Sequence, residues 1–216
     1  MCFSASASFT AGTLLLGLGA LTFRSAQHPV ERPFAAIPLL FAVQQFIEGV
    51  IWLTFGAEHA QLHTVMTYAY AMFSHVLWPV FIPLAVLAIE PPGWRRTALG
   101  ACAGAGTLVS AWLLYTITRD GIVALATGHH IEYVTTPYFA LATMVLYLLS
   151  TSACQLCSTH GLVRAFGLLA LLSFGAAYVA YTTWFVSVWC YFAAALSSVV
   201  LLHFIGRPAQ HRHAWT

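Results

Sequence analysis

Charged residues are scarce in this chain, and lysine is absent altogether. Only 6% of its 216 residues are charged, whereas soluble domains carry about 25%. Hydrophobic residues make up 60%, against roughly 45–50% in a soluble domain. So few charges cannot cover the surface of a water-soluble protein of this length. The composition therefore predicts an integral membrane protein whose main partner is the lipid bilayer.

The missing lysine excludes whole classes of function. Retinal and pyridoxal phosphate are both held by a lysine Schiff base, so both cofactors are excluded, and no other cofactor is indicated. The eight basic residues are all arginines, and a net charge of +2 provides no positive field for nucleic acid. Five cysteines suggest no disulfide framework. The first seven residues carry no arginine or lysine, so no cleavable signal peptide is predicted.

Apolar stretches divide the chain into candidate membrane helices, each of which needs about 20 residues. Prolines, glycines and charged residues separate them. The seven predicted spans are 8–23, 34–56, 64–89, 97–118, 137–156, 162–182 and 184–205. The boundary near Thr182 is the weakest, so six spans with one long, bent last helix are an alternative. The sequence thus predicts an all-α, seven-helix transmembrane bundle, with one domain over 1–206 and a short cytoplasmic tail over 207–216.

The placement of arginine predicts the orientation of the bundle, because basic residues that flank a span resist translocation. With the N-terminus outside and the C-terminus inside, seven arginines lie in cytoplasmic segments and only Arg119 lies outside. We therefore expect a multi-pass protein of the bacterial cytoplasmic (inner) membrane. The sequence allows an oligomer but does not specify one.

Two local patterns predict further structure. In the outer loop 121–136, the β-prone runs 122–125 and 131–135 flank a turn-like segment, which favours a small β-hairpin, with a short interfacial helix as the alternative. In the fourth span, Gly100 and Gly104 form a small-xxx-small pattern, which predicts that another helix packs closely there.

Glu48 is the only acidic residue well inside a predicted span, where an ionisable group costs at least ~2.5 kcal/mol. Gln44 and Gln45 lie one turn before it and Trp52 lies one turn after it, so that all four share one helical stripe. This stripe is the best candidate for a binding or proton-relay site.

The third span is predicted to complete that site. It brings Ser74, His75 and Trp78 to nearly the same depth as Glu48. A carboxylate beside an imidazole can pass a proton, because histidine titrates near neutral pH. The pair Glu48 and His75 could instead supply two ligands of an unidentified metal, or form a polar core without chemistry. All three interpretations remain open.

Polar and aromatic residues near the outer ends of the helices could wall a vestibule above Glu48. These residues are Cys2, Ser4, Ser187, Trp189, Cys190 and Tyr191. Aromatic residues near helix ends also form interface belts, which is the alternative interpretation. Elsewhere, Cys154, Cys157 and His160 form a CxxC motif followed by a histidine, a weak signal for metal or redox chemistry.

Four segments are shared with a known type of protein: the opening MCFSA of residues 1–5, PFAAIPLLF of 33–41, QQxxEGxxW of 44–52, and WCYFAA of 189–194. The chain resembles an uncharacterised family of small multi-spanning bacterial membrane proteins. The resemblance supplies no catalytic role, but it implies that Cys2, Glu48 and the 189–190 pair belong to one recurring pattern. Intramembrane amidases of the ceramidase and adiponectin-receptor type do not match, because no aspartate lies inside a span and no late HxxxH is present.

Three functions are compatible with these residues. The first is movement of protons or a small solute across the membrane through Glu48 and His75, which we favour. The second is an intramembrane, metal-assisted enzyme that uses the same pair. The third is a sensor or partner-binding bundle in which the polar stripe is only structural.

Overall fold

The computed structural model describes residues 4–128, 130–135, 141–180 and 185–205. These residues form ten α-helices, one π-helical turn, three 3-10 turns and one two-stranded sheet. The α-helices are α1 (Ala5–Ser25), α2 (Arg32–Ala35), α3 (Ile37–Leu53), α4 (Ala60–Ala71), α5 (Trp78–Ile89), α6 (Trp94–Asp120), α7 (Leu141–Thr151), α8 (Gly161–Ala180), α9 (Phe185–Leu196) and α10 (Val199–Ile205). The π turn is Met72–Leu77, the 3-10 turns are Pro29–Glu31, Ala57–His59 and Ala153–Cys157, and the strands are β1 (Val123–Thr127) and β2 (His130–Val134).

Helices long enough to cross a bilayer dominate the fold. Within the described ranges, six segments are sufficiently long and apolar, and the shorter apolar helix α7 accompanies them. Large apolar side chains on their outer faces are strongly exposed, including Leu108 at 70% and Val179 at 84%. Such exposure is unfavourable in water and is expected of helices that face lipid. The fold therefore supports the prediction of a multi-pass, helical membrane protein.

The last two spans are separate helices that pack side by side. The Nε1 of Trp189 on α9 donates a hydrogen bond to the carbonyl oxygen of Ala170 on α8, at 3.0 Å. Val188 and Ala177 belong to one buried cluster, and near the other end of the pair the rings of His203 and His160 are 5.0 Å apart. This pairing is antiparallel, so the alternative of one long, bent last helix is wrong.

Two predicted spans contain irregular helix where polar side chains bind helix carbonyls. The α-helix of the fifth span ends at Thr151 rather than at residue 156, and a 3-10 turn follows. There, the side chains of Cys154 and Gln155 donate to the carbonyls of Ser150 and Thr151. Such local bonds compete with the regular helical pattern. In the last span the hydroxyl of Ser197 donates to a carbonyl in the preceding turn, and the helix is interrupted between α9 and α10.

The hairpin of the long loop is confirmed. Strands β1 and β2 pair antiparallel with Thr127 opposite His130. Gly128 in the turn has a φ of +62°, a conformation that glycine adopts without strain. Ala124 and Ile131 from the two strands pack into one buried cluster with residues of α3 and α4. We call this end of the bundle the hairpin end and the opposite end, with the 90–96 and 157–161 loops, the arginine end.

The prediction of close packing at Gly100 and Gly104 is wrong. Among the described residues, no heavy atom outside the adjoining helix backbone lies within 4 Å of a Cβ built on either glycine. The closely packed glycine of α6 is Gly106, whose added Cβ would lie 1.8 Å from the carbonyl oxygen of Pro79 on α5. The sequence pattern identified a helix with small residues, but the face that meets α5 is the one that carries Gly106.

Candidate functional site

The polar stripe of α3 lies in the interior of the bundle. Gln44, Gln45 and Glu48 each have 0% of their surface exposed, and Trp52 is half-buried. On the α1 side the helices approach closely, since a Cβ on Gly49 would lie 2.9 Å from the ring of Phe9. The stripe is therefore sealed from lipid by packing.

Glu48 is bound by a residue from the other end of the chain. The hydroxyl of Ser187, in the first turn of α9, donates to Glu48 Oε1 at 2.8 Å. Ser187 is 1% exposed, so this hydrogen bond to an ionisable carboxyl group is buried. Hydrogen bonds to an ionised carboxylate are stronger than those between neutral groups, so Ser187 can hold the carboxylate in one orientation.

Gln44 joins α3 to α5. The Nε1 of Trp78 donates to Gln44 Oε1 at 2.7 Å. The Trp78 ring stacks on Phe41, with centroids 4.1 Å apart and planes inclined by 22°. These contacts place the sequence-predicted residues Gln44 and Trp78 together and fix the amide so that its Nε2 group points away from the indole.

Ser74 and His75 lie in the π turn, where the backbone is wider than in an α-helix. Ser74 Oγ lies 2.7 Å from His75 Nδ1 and 3.0 Å from the carbonyl oxygen of Tyr70. Since the carbonyl can only accept, the serine proton goes to Tyr70 and the Nδ1–H of His75 donates to Ser74. His75 is 1% exposed. The imidazole thus has a defined tautomer within the bundle.

The π turn also explains an interaction that the sequence did not reveal. The N–H of Trp78 bonds to the carbonyl of Phe73, five residues earlier. The next donor in that pattern would be Pro79, which has no N–H, so the carbonyl of Ser74 lacks a backbone donor. The hydroxyl of Tyr147 on α7 donates to it instead. π turns are frequent at functional sites, and here one links His75 to α7.

The three consecutive residues of α9 that were predicted to wall a vestibule face different surroundings. Cys190 lies against Tyr70 and Gln44 and is close enough to Glu48 to interact electrostatically. Trp189 faces α8 and packs edge-on against Tyr147, with ring centroids 5.8 Å apart. Tyr191 lines a groove between α1 and α9. Cys190 is the member of the three that these contacts connect to the Glu48 stripe.

The two N-terminal vestibule residues have separate outcomes. Ser4 is the N-cap of α1, where its Oγ accepts a hydrogen bond from the backbone N–H of Ala7 at 3.2 Å. Cys2 lies outside the described residues. The role of Ser4 in the structure is therefore that of a helix cap.

A tyrosine pair covers the site at the hairpin end. Tyr133 of β2 stacks on Tyr70, with parallel planes and centroids 4.5 Å apart. Tyr70 is fully buried and in turn lies against Cys190. The hairpin is also attached through His63, whose Nε2 lies 3.2 Å from the carbonyl oxygen of Ala124 and therefore donates to it. The hairpin thus acts as a cap over the stripe.

The sequence reasoning missed a fully buried carboxylate at the arginine end. Glu90 is 0% exposed and accepts hydrogen bonds from the Ser158 hydroxyl at 2.8 Å and from the Thr159 backbone N–H. Arg96 donates to the Glu90 carbonyl, and Arg95 to the carbonyls of Cys157 and Ser158. These bonds tie the α5–α6 loop to the start of α8. In the sequence, Glu90 precedes two prolines and lies between two predicted spans, which indicated a loop residue.

Several buried polar atoms of the stripe lack a hydrogen-bond partner among the described residues. They are the Nε2 of Gln44, both amide heteroatoms of Gln45, and the Nε1 of Trp52. Leaving such a group unsatisfied costs about 1–3 kcal/mol. Native proteins usually satisfy such groups with water or a ligand. The polar atoms of the stripe are therefore suited to bind water or a ligand.

No cluster of three or more histidine, cysteine or acidic residues that could hold a metal ion occurs in the ranges the structure describes. The described cysteines, Cys102, Cys154, Cys157 and Cys190, are free thiols. Cys154 donates its proton to the carbonyl of Ser150, which is a structural contact.

A family model covers residues 1–215, which is almost the whole chain. The chain belongs to DUF6629, a family of unknown function. No curated protein and no solved structure matches it. Membership in DUF6629 confirms the resemblance to an uncharacterised family, and it leaves the function to be argued from the buried site.

Proposed function

We propose that this DUF6629 protein moves protons across the membrane, alone or together with a small solute, with Glu48 as the central group. The observation that carries the proposal is a fully buried carboxylate, bound by Ser187. It lies on a stripe in which Gln44 Nε2, both amide heteroatoms of Gln45 and Trp52 Nε1 have no hydrogen-bond partner among the described residues. Ionisable residues within membrane helices commonly mark ion or proton pathways. A purely structural core would be expected to pair its polar atoms internally.

The surroundings of Glu48 suit an occluded intermediate of a transport cycle. The Tyr70–Tyr133 stack covers the stripe at the hairpin end, and the bonds of Glu90 close the arginine end. The π turn and the prolines of α5 lie between these two closures. Irregular helix of this kind is a common hinge, because its hydrogen bonds can rearrange at low cost. Opening one end at a time would expose Glu48 alternately to the two sides.

Proton movement by the wild-type protein tests this proposal directly. The purified protein is reconstituted in liposomes that contain a pH-sensitive dye, and a potassium gradient with valinomycin supplies the driving potential. We expect internal pH to change at least tenfold faster than in protein-free liposomes. A rate equal to that of protein-free liposomes, in vesicles shown to contain folded protein, would overturn the proposal.

We further infer that the hairpin end faces outward from a bacterial cytoplasmic membrane, with the arginine end in the cytoplasm. Seven of the eight arginines belong to segments on the cytoplasmic side in this orientation. The bonds from Arg95 to the turn before α8 support this assignment, because they hold two of these segments at one end.

Labelling from outside the cell tests the orientation. Two exposed residues at opposite ends, His59 and Arg164, are replaced singly (His59→Cys and Arg164→Cys). A membrane-impermeant maleimide should label the first variant on intact spheroplasts and the second only after permeabilisation, each measured above the wild-type background. The reverse pattern would show that the bundle is inverted.

A further inference from the structure

A small cavity lies beside the Glu48 stripe, between α3, α5, α7, α8 and α9. It offers about 30 Å³ to the centre of a water-sized molecule. One water needs about 10–15 Å³ on this measure, so the cavity holds one or two such molecules. Cys190 lines the cavity and also interacts with Glu48. Cys190 therefore lies between the cavity and the carboxylate of Glu48.

The polar lining of the cavity contains one hydrogen-bond acceptor without a partner among the described residues. Gln155 is 1% exposed, and its Oε1 has no partner among the described residues. Its Nε2 is engaged, because it donates to the carbonyl of Thr151 at 2.8 Å. A Cβ on Gly167 would lie 2.6 Å from the Cβ of Gln155, so close packing holds this side chain in place. Gln155 therefore presents a fixed, unsatisfied acceptor.

Aromatic residues are the largest class in the remaining lining, and no cationic side chain occurs among the described residues that line the cavity. Five of the twelve lining residues are aromatic: Phe41, Trp78, Tyr147, Phe166 and Trp189. The faces of aromatic rings carry negative charge and attract cations, tryptophan most strongly. The hydroxyl of Thr151 donates to the carbonyl of Tyr147, and its oxygen lies 3.5 Å from the hydroxyl oxygen of Ser152, which also lines the cavity. A ligand that brings N–H donors and a positive charge would satisfy this lining.

We propose that the cavity binds a small ammonium cation, ammonium itself or methylammonium, through the Oε1 of Gln155 and the surrounding aromatic rings. The small volume favours ammonium and methylammonium over larger amines. This inference rests on the proposed function in one respect: the bound cation would be the solute that moves past Cys190 toward the carboxylate of Glu48. Binding itself requires no transport and can be measured separately.

Titration with methylammonium chloride tests the binding. Trp78 and Trp189 line the cavity, so occupancy should change the tryptophan fluorescence of the full chain in detergent, in a saturable way. We expect Gln155→Leu to weaken the apparent affinity at least tenfold and Gln155→Glu, which adds a negative charge to the acceptor, to strengthen it. Gln61→Leu is the matched control, because Gln61 is exposed on α4 and should behave as wild type.

Two other salts serve as controls for the binding of methylammonium. Sodium chloride should cause no change, which controls for ionic strength, and tetramethylammonium should not bind, because it is too large and has no N–H. The proposal is overturned if methylammonium causes no saturable change, or if Gln155→Glu binds it no more tightly than wild type. If Gln155→Leu does not fold, the affinity of Gln155→Glu for methylammonium still tests the proposal.

The two proposals fail in different ways. If proton movement in liposomes depends on Glu48 but methylammonium does not bind, the ammonium site is wrong and the transport function stands. If methylammonium binds through Gln155 but the protein moves no protons, the site exists and the transport function is wrong.

Discussion

Replacing Gly106 with alanine should leave little folded protein after purification. The added Cβ would lie 1.8 Å from the carbonyl oxygen and 2.7 Å from the carbonyl carbon of Pro79. The obstacle is backbone in the middle of two packed helices, so no side-chain rotation relieves it. The carbonyl is exposed to α6 because Pro83, its normal helical donor, has no N–H. Overpacking typically costs 1–3 kcal/mol, and a clash with fixed backbone should cost about 3 kcal/mol or more.

Gly104→Ala provides the matched control on the same helix. In the part of the chain that the structure describes, no heavy atom beyond the adjoining helix backbone lies within 4 Å of its added Cβ, and alanine is favoured over glycine in helices by about 1 kcal/mol. Thermal unfolding in detergent, followed by size-exclusion chromatography, should therefore show an unchanged or higher melting temperature for Gly104→Ala. Equal melting temperatures for the two variants would mean that α5 and α6 do not meet at Gly106.

Proton movement should fall to the level of protein-free liposomes in Glu48→Gln. The glutamine keeps the size of the side chain, and its oxygen can still accept the hydrogen bond from Ser187. It cannot take up or release a proton, so it removes the relay and preserves the packing. We expect at least a tenfold loss of rate with little change in melting temperature, measured with the same dye-loaded vesicles as the wild type.

Two further variants test whether the loss of proton movement is specific to the carboxylate of Glu48. Glu58→Gln removes an exposed carboxylate at the hairpin end and should leave the rate unchanged. Ser187→Ala removes one hydrogen bond to Glu48, a loss of about 1 kcal/mol or more, and should reduce the rate several-fold without abolishing it. If Glu48→Gln conducts as well as wild type, the carboxylate does not carry protons and the buried stripe has a structural role.

The sequence predicted the helices and hairpin well because these features depend on local pattern. Apolar runs of membrane length and β-prone runs around Gly128 determine local structure directly. The burial of Glu48 inside the bundle was also predictable, since an acid within an apolar span is costly in lipid. The hydrogen-bond partner of Glu48 was less predictable. Ser187 lies 139 residues away, and many serines occur in membrane helices without such a contact.

The remaining features depend on the geometry between helices. Gly100 and Gly104 match the packing motif, yet Gly106 makes the contact, because the orientation of α6 toward α5 decides which glycine is close. Glu90 looked like a loop residue, since two prolines follow it, but backbone N–H and hydroxyl donors from the start of α8 make its burial favourable. Neither outcome follows from spacing along one helix.

The π turn also changes how aligned sequences of DUF6629 should be interpreted. Each residue of an α-helix advances about 100° around its axis, so the extra residue of the turn rotates everything that follows by about a quarter of a circle. A relative with a one-residue gap within 72–77 could restore a regular helix. It would then present the residues of α5 on a different face from those in this chain. Such a gap would separate family members that keep the Trp78–Gln44 contact from those that have lost it.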